Sequence, residues 1–413
     1  MPKTRIAISC PQSRHCLNFA AMMRETTLHV ECFDSPSLPL AVAGIGVVGG
    51  FGVGLGDMRL TLDGERMPML GGLEFQGNQG MESVPALRAD LAALDEFVPK
   101  RSLRRVDRFS RLALLGAHLA LQDAGIAVSG ALDRTGIIVA TGYGAAATTF
   151  TFLDSVIHDG DVCASPTHFS NSVHNAAAAH ISILLKITGP CLTASQFELS
   201  TVSALLTAGQ WLTEGRVDRV LFGAVDEHCP VRGYCWSRFF GPQFSQAVMP
   251  LDIDRQTAVP GEGAAFFVLE RSKPGRSGTY GHVVNVGMGR EAQRNVDIFF
   301  DGPPNGADSP WTLLLLGADG HKATGVRYRH VLEAARRRPL AIAACAPAYG
   351  SLPVGQAFDL AVAGMVIRDG CPSFADHMRY GDGCSGTPGD VSRVACLKYG
   401  PGGEYGAIVL AGS

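Results

Sequence analysis

Short apolar runs alternate with Ala- and Leu-rich stretches of helical period along most of this chain. Residues 38–52, LPLAVAGIGVVGGFG, predict a buried strand that leads into a glycine-rich turn, and residues 134–144, RTGIIVATGYG, predict another. Between them, Leu112, Leu115 and Leu119 fall on one helical face, and Gly125 ends that helix. Strands that alternate with helices in this way predict an α/β fold.

The second half of the chain repeats this alternation. Further strands are predicted at 218–225, 261–271, 311–320, 340–350 and 405–412, and further helices at 175–188, 203–214, 326–338 and 356–370. Two halves of similar size and pattern predict a duplicated α/β unit, which we divide into 38–250 and 251–413. Residues 1–37 precede the regular pattern as an N-terminal extension to which the sequence assigns no role; a strand is predicted over 5–9 and a helix around 18–24.

Composition narrows the class of protein. The chain has 413 residues, of which 46% are hydrophobic and 18% are charged, as in a globular protein with a large core. Its formal net charge of -3 argues against a nucleic-acid partner, because nucleic-acid binders are usually basic. Eleven cysteines without a CxxC motif indicate a reducing compartment, and no apolar run is long enough to span a membrane, so we expect a cytoplasmic protein.

Residues 189–205, GPCLTASQFELSTVSAL, have the layout of an elbow that presents a nucleophile. A strand follows Gly189-Pro190, and a helix of small residues begins directly afterwards. The turn between them, however, holds Phe197 and Glu198. Cys191 lies on the strand, where a side chain is normally buried and its thiol inert.

Other polar features of the sequence have structural or binding interpretations. His174 stands at a predicted helix start, where a histidine more often caps the backbone than binds a ligand, and Glu262 between two glycines predicts a buried, hydrogen-bonded carboxylate. No ligand-spaced set of side chains predicts a metal site or a cofactor. The exposed basic segment 99–111 is a plausible dock for an acidic partner; its docking candidates are Lys100, Arg101, Arg104 and Arg105.

Three segments, in this order, resemble the ketosynthases of the thiolase superfamily, the condensing enzymes of fatty acid and polyketide synthesis. They are DRFSRLALLGAHLALQDAGI at 107–126, MPLDIDRQTAVPGEGAAFFVLER at 249–271 and KYGPGGEYGAIVL at 398–410. The resemblance covers about residues 38–413. It implies a thiolase-like fold, in which duplicated α/β halves form an αβαβα arrangement of layers.

The resemblance also locates the family's catalytic positions, and each of them is changed. Counting nine residues from Gly189, as in the family, places Glu198 where the cysteine nucleophile stands. The family's first histidine corresponds to Asp319 in the turn LLLLGADG. Its second histidine corresponds to Gly350, or to Ser351 if one residue is missing, and the family's nearby lysine has no counterpart in AACAPAYG.

These changes resemble those of the chain-length factor, the silent partner of a ketosynthase in type II polyketide systems. That resemblance implies a heterodimer with an active ketosynthase, an interaction with acyl carrier protein and no catalysis by this chain alone. Candidate interface or tunnel residues are Gln196, Phe197, Glu198 and His174. The segment 165–179, SPTHFSNSVHNAAAA, resembles the aryl-polyene branch more weakly.

Two alternatives stay open at this point. The first is an enzyme with rewired thioester chemistry, hydrolysis or acyl transfer, that uses Glu198 and Asp319. The second is a homodimeric protein that binds acyl chains or carrier proteins without a ketosynthase partner.

Overall fold

The computed structural model describes residues 40–77, 80–128, 132–240, 245–272, 279–290, 313–335, 341–380 and 391–412. The strand and helix predicted within residues 1–37 lie outside these ranges. No helix among the described residues is long and apolar enough to cross a membrane.

Fourteen strands are described. They are β1 Leu40–Gly49, β2 Gly52–Val53, β3 Leu70–Gly77, β4 Gly80–Leu87, β5 Thr135–Thr141, β6 Cys191–Ser195, β7 Arg219–Asp226, β8 Gly263–Arg271, β9 His282–Arg290, β10 Leu313–Leu316, β11 Ala341–Ala343, β12 Arg379–Tyr380, β13 Arg393–Tyr399 and β14 Glu404–Ala411.

The described α-helices number ten. They are α1 Gly54–Leu62, α2 Arg108–Asp123, α3 Ala146–Asp159, α4 Pro166–Asn171, α5 Ala176–Leu185, α6 Ser200–Thr213, α7 Pro230–Phe240, α8 Lys322–Ala335, α9 Ala346–Tyr349 and α10 Gly355–Asp369. Short 3₁₀ turns lie at Ala92–Glu96, Lys100–Leu103, Asp161–Cys163, Phe197–Leu199 and Asp376–Met378.

Two sets of five strands share one topology. The first set runs β6-β5-β7-β8-β1 and the second runs β11-β10-β13-β14-β9. In each set the first two neighbouring pairs are parallel and the last two are antiparallel. The predicted duplication of α/β halves is therefore confirmed, although the sequences of the halves differ.

The two sets are joined where β1 pairs with β9 at Leu40 and Ala41. Strand β8 lies beyond residue 250 in the chain, yet it pairs with β7 and β1 of the first set. The division at 250/251 therefore stays a prediction about sequence halves, and it does not follow the pairing of the strands.

Helices lie on both faces of the sheet. Helix α6 contacts β5 and β7 of the first set and also β9 and β14 of the second, and α10 contacts β13 as well as β1 and β8. Helix α10 is buried at every position from Gly355 to Val366, as expected for a central layer. Helix α2 covers the first set and α8 contacts the second. This order is the αβαβα arrangement that the resemblance implied.

The structure corrects two predictions about elements. The strand predicted over 340–350 ends at Ala343, because Pro347 opens the short helix α9 and takes the chain out of the sheet. The hairpin of β3 and β4 was not predicted, since its glycines and polar residues obscure the alternation expected of a strand.

Candidate functional site

The elbow at residues 195–200 keeps the strand–turn–helix geometry that the sequence predicts. Strand β6 lies parallel to β5, and a single 3₁₀ turn leads from it into α6. The Ser200 hydroxyl oxygen accepts a hydrogen bond from the Gln196 amide at 2.7 Å, and the Leu199 amide donates to the Gln196 carbonyl at 3.0 Å. These bonds hold the turn in a defined shape.

Glu198 sits in this turn, half-buried, at the start of a helix. Burial raises the pKa of the Glu198 carboxyl, and the negative charges of Asp319 and Glu404 raise it further. The nearby Lys398 ammonium lowers this pKa but does not reverse the shift. The position that carries a nucleophile in the resembling family thus holds a carboxyl group with weakened acidity. The same charges show that Glu198 and Asp319, 121 positions apart in the chain, act on each other.

Asp319 follows β10 in the turn that the sequence analysis singled out. One of its carboxylate oxygens, Oδ2, accepts a hydrogen bond from the Ser351 hydroxyl at 2.8 Å and lies 3.6 Å from Lys398 Nζ. Burial by itself would raise the pKa of Asp319, but the Lys398 ammonium, together with His321 and the Ser351 hydroxyl, lowers it overall. Asp319 is therefore a buried, paired anion.

The structure distinguishes the two positions proposed for the second changed histidine. Gly350 has φ of +83°, and its Cα packs against the backbone of Gly261, so that a side chain has no room there. Ser351 is buried and places its hydroxyl on Asp319. Ser351 is thus the residue whose side chain enters the site.

Lys398 was not singled out by the sequence analysis. Its side chain is only 3% exposed, its Nζ donates to the Gly317 carbonyl at 3.4 Å, and it faces Asp319. The signal available in the sequence was weak: a lysine within the apolar run VACLKY of β13. Such a lysine is buried only when a partner compensates its charge, and that partner lies far away in the chain.

A second buried pair lies beside the first. Tyr349 donates its hydroxyl hydrogen to Asp359 Oδ1 at 2.8 Å, and Oδ2 of the same carboxyl has no partner. Burial raises the pKa of Asp359 to about 7, although the Tyr349 hydrogen bond and Lys398 act in the opposite direction. Among the described residues, the Lys398 ammonium therefore lies close to the carboxyl groups of both Asp319 and Asp359.

His321 is the histidine nearest in sequence to Asp319, and its imidazole ring contacts other side chains. The His321 ring packs against Trp236 and Phe240, with centroids 5.1 and 5.0 Å away, and its Nδ1 lies 3.3 Å from Gln256 Nε2. Within the described residues, the elbow presents a carboxyl in place of a thiolate. What this set of groups can do chemically is hold or transfer protons.

The remaining interface candidates lie at the surface beside the elbow. Phe197 is exposed, and its ring meets that of Tyr143 edge to face at 5.8 Å. The exposed His174 lies against Gly144, whose φ of +63° and close approach to the imidazole suit glycine. Gln196 is exposed and accepts a hydrogen bond from the Ser203 hydroxyl. Phe197, His174 and Gln196 therefore share one region of the surface.

The basic segment divides into two kinds of residue. Lys100, Arg101, Arg104 and Arg105 are exposed, while Arg108 and Arg111 donate to groups of the fold. Glu262 is buried and accepts from Arg108 at 2.5 Å and from Arg88 at 2.8 Å, which confirms the buried carboxylate predicted there.

The expectation of a buried Cys191 was wrong: the residue is exposed, because β6 is a terminal strand of the sheet.

Comparison with known proteins shows what this chain is similar to. The model of the family "Beta-ketoacyl synthase, N-terminal domain" matches residues 77–274. The 3-oxoacyl-[acyl-carrier-protein] synthase 2 of Vibrio cholerae is 25% identical over 210 residues, which cover 48% of this chain and 50% of that protein. The putative polyketide beta-ketoacyl synthase 1 of Streptomyces virginiae is 28% identical over 247 residues, 56% of this chain and 57% of that protein. The chain thus matches these curated relatives over about half of their length.

Solved structures match over a larger share. The ishigamide ketosynthase/chain length factor matches with a TM-score of 0.70 at 18% identity, over 91% of this chain and 100% of the other. The ketosynthase ApeO in complex with its chain length factor ApeC, from Xenorhabdus doucetiae, matches with a TM-score of 0.69 at 14% identity, over 92% and 99%. At these identities the likeness concerns the fold. The chain therefore has a ketosynthase-like fold, and its residues 77–274 match the N-terminal domain of the beta-ketoacyl synthases.

Proposed function

We propose that this chain is a catalytically silent, chain-length-factor-like subunit that pairs with an active ketosynthase and shapes its acyl tunnel during polyketide or fatty-acid-type chain elongation. One observation carries the proposal. The elbow keeps its backbone geometry while it presents Glu198, and Asp319 is neutralised by Lys398 and Ser351.

The chemistry of these groups argues against condensation by this chain. A ketosynthase holds its acyl group as a thioester, which requires a thiolate, and a carboxylate at Glu198 forms no comparable thioester. The enolate that forms on decarboxylation needs hydrogen-bond donors. Asp319 is an ionised hydrogen-bond acceptor that is already paired, so it offers no donor to an enolate.

The surface around β6 supports a partner subunit. Strand β6 pairs with β5 alone and forms one end of the described sheet, so its other edge is free to pair. Helix α3 exposes an apolar stripe of Phe150, Leu153 and Ile157, the last of which is 73% exposed. An exposed apolar stripe on a helix and a free strand edge are each typical of protein–protein interfaces.

The nature of the partner follows from two-fold pairing. When one protomer of a symmetric dimer is replaced by a diverged copy, the same surfaces form a heterodimer. Two of the matching solved structures are described as ketosynthases with their chain length factors, and a third as a ketosynthase with an acyl-carrier protein. These descriptions support an active ketosynthase as the partner of this chain.

An acyl carrier protein is the proposed second partner. Lys100, Arg101 and Arg104 lie on or next to the exposed 3₁₀ turn Lys100–Leu103, with Arg105 directly after them. A group of exposed cations attracts an acidic partner and accelerates its association.

A rewired enzyme is the second candidate, and one observation favours it. Burial raises the pKa of Glu198, which makes its ionised carboxylate a stronger base than that of an ordinary glutamate. If Glu198 is the general base of thioester hydrolysis, the purified protein releases the acyl group from an acylated carrier protein. The Glu198→Gln variant then does not release it.

The decisive experiment is co-expression with each intact ketosynthase of the source genome, recognised by its cysteine and two histidines. We expect native mass spectrometry to show a one-to-one complex. After incubation with acylated carrier protein, we expect an acyl adduct on the partner subunit and none on this chain. Ile157→Glu should break the complex, whereas Val326→Glu, an exposed apolar position on α8, should leave it intact. A homodimer of this chain that elongates a primer would refute the proposal.

A further inference from the structure

Phe197 combines two features that are each unfavourable in a free protein. Its φ is +48°, in the left-handed region that bulky L-residues rarely adopt, and 56% of the residue is exposed although the side chain is aromatic. A strained residue persists only when its surroundings hold it, and such residues concentrate at functional sites. Because neither feature stabilises the free chain, Phe197 is a candidate for a role in binding.

Neighbouring groups fix the position of the Phe197 ring. Its backbone is held by the Ser200 hydroxyl, which accepts from the Gln196 amide and lies 2.7 Å from the Phe197 carbonyl oxygen. Its ring packs edge to face on Tyr143, with an angle of 74° between the ring planes. The backbone of Phe197 and one side of its ring are thus held in place before any partner binds.

Tyr143 is itself held from two sides. Its amide donates to the buried carboxylate of Asp226 at 3.0 Å, and the Arg232 guanidinium lies 4.0 Å from the centroid of its ring. Arg232 in turn donates to the Glu227 carbonyl. The three side chains Arg232, Tyr143 and Phe197 therefore form a stack, which we call the aromatic support, that begins on α7 and ends at the elbow.

The aromatic support lies next to the surface proposed above as the partner interface. Phe197 follows β6, whose outer edge is unpaired, after a single residue, and Leu192 on that strand is also exposed. Aromatic side chains that are rigid before binding are favoured as the anchors of interfaces, because little conformational entropy is lost when they dock.

We propose that Phe197 is the anchor residue of the ketosynthase interface, inserted into an apolar pocket of the partner subunit, and that Tyr143 is the residue that positions it. This inference rests on the proposed function and adds to it the residue on which association depends. It explains why an exposed aromatic ring is kept on strained backbone beside a position that has lost its nucleophile.

Phe197→Gly and Phe197→Ala test the anchor. Both remove the ring, so the dissociation constant of the complex should rise about 30-fold or more, as for an interface hot spot. Glycine also relieves the left-handed backbone, so in the free chain the glycine variant should unfold at a higher urea concentration than the alanine variant. Phe239→Ala, at a second exposed phenylalanine that lies near the end of α7, gives the comparison for ring loss at another point of the surface.

Tyr143 is tested by a pair of variants. Tyr143→Phe keeps the ring between Arg232 and Phe197, and it should bind the partner within about threefold of the unaltered chain. Tyr143→Ala removes the ring and should weaken binding about tenfold or more. Combined with Phe197→Ala it should add little, because the two residues act as one unit.

The outcomes separate this inference from the proposed function. If no ketosynthase binds the unaltered chain, both are refuted. If the unaltered chain binds and Ile157→Glu does not, but both Phe197 variants bind with unchanged affinity, the interface stands and the anchor is refuted. An alanine variant more stable than the glycine variant would also refute the role of backbone strain at this position.

Discussion

Lys398 and Asp319 form an ion pair from which water is almost completely excluded. Their interaction replaces solvation for both charges, and Ser351 supplies a further hydrogen bond to the carboxylate. The two buried charges therefore depend on each other, and removal of one member leaves the other charge without compensation.

We accordingly predict that Lys398→Met destabilises the chain by about 3–5 kcal/mol, because it leaves a buried anion at Asp319. The double variant with Asp319→Leu should recover most of this loss, because apolar groups of similar size are tolerated there. Urea unfolding followed by circular dichroism measures both changes. Lys100→Met, at an exposed lysine paired with Asp95, is the matched control and should change stability by less than about 1 kcal/mol.

Asp359 predicts a dependence of stability on pH. The pKa of this residue is raised to about 7 in the folded chain, against about 3.9 in an unfolded chain. Between pH 4 and 7 the folded protein retains a proton that the unfolded chain has lost, so this group makes stability fall as pH rises, by up to about 1.4 kcal/mol per pH unit. Its contribution is most favourable below pH 4 and is lost above pH 7.

The measurement compares unfolding free energies at several pH values. In Asp359→Asn, which retains an acceptor for the Tyr349 hydroxyl, the decline between pH 4 and 7 should be shallower than in the unaltered chain. Identical slopes for the two proteins would mean that Asp359 is ionised across this range.

Strand β1 and helix α2 are packed backbone to backbone, at the glycines of the strand. A Cβ placed on Gly46 would lie 2.3 Å from both the Gly116 carbonyl oxygen and the Ala120 amide nitrogen of α2, and Gly44 is similarly crowded by Ala120 and Ala124. The helix backbone therefore rests directly on the strand, and the glycines in LAVAGIGVVG serve packing.

Gly46→Ala should therefore destabilise the chain by about 3 kcal/mol or more, because the clash is with backbone atoms that have no rotamer to change. Gly56→Ala is the control: it lies in α1 with open space around it, and alanine should raise stability by about 0.4–1 kcal/mol. Thermal unfolding distinguishes the two variants, and a tolerated Gly46→Ala would contradict the observed contact.

For the whole molecule, the distribution of exposed charge predicts how a carrier protein docks. Replacement of Lys100, Arg101, Arg104 and Arg105 by alanine should weaken binding of acyl-carrier protein to the complex about tenfold at low salt. In the unaltered protein, affinity should fall as salt rises from about 50 to 300 mM, because the screening length shortens. Arg255→Ala, an exposed arginine on another loop, should have no effect.

Surface plasmon resonance with immobilised carrier protein provides the measurement. If the four alanines leave both the affinity and its dependence on salt unchanged, the carrier protein docks elsewhere on the complex.

Most of the fold was predictable because it depends on local pattern. Strand β5 and helix α2, for example, follow from apolar residues of the right period bounded by glycines. The position of Glu198 followed from a count of nine residues along one strand and turn. The hairpin of β3 and β4 was missed, because its stability comes from contact with α7, which no local pattern reveals.

The sequence by itself determined the order of strands and helices, the duplication of the halves and the absence of a cysteine at position 198, since each depends on neighbours along the chain. Only the tertiary structure decided that Ser351 rather than Gly350 enters the site, that Lys398 neutralises Asp319 and that Phe197 stands exposed on Tyr143. These outcomes depend on side chains that lie tens of residues apart along the chain, and packing alone sets their distances and their exposure to water.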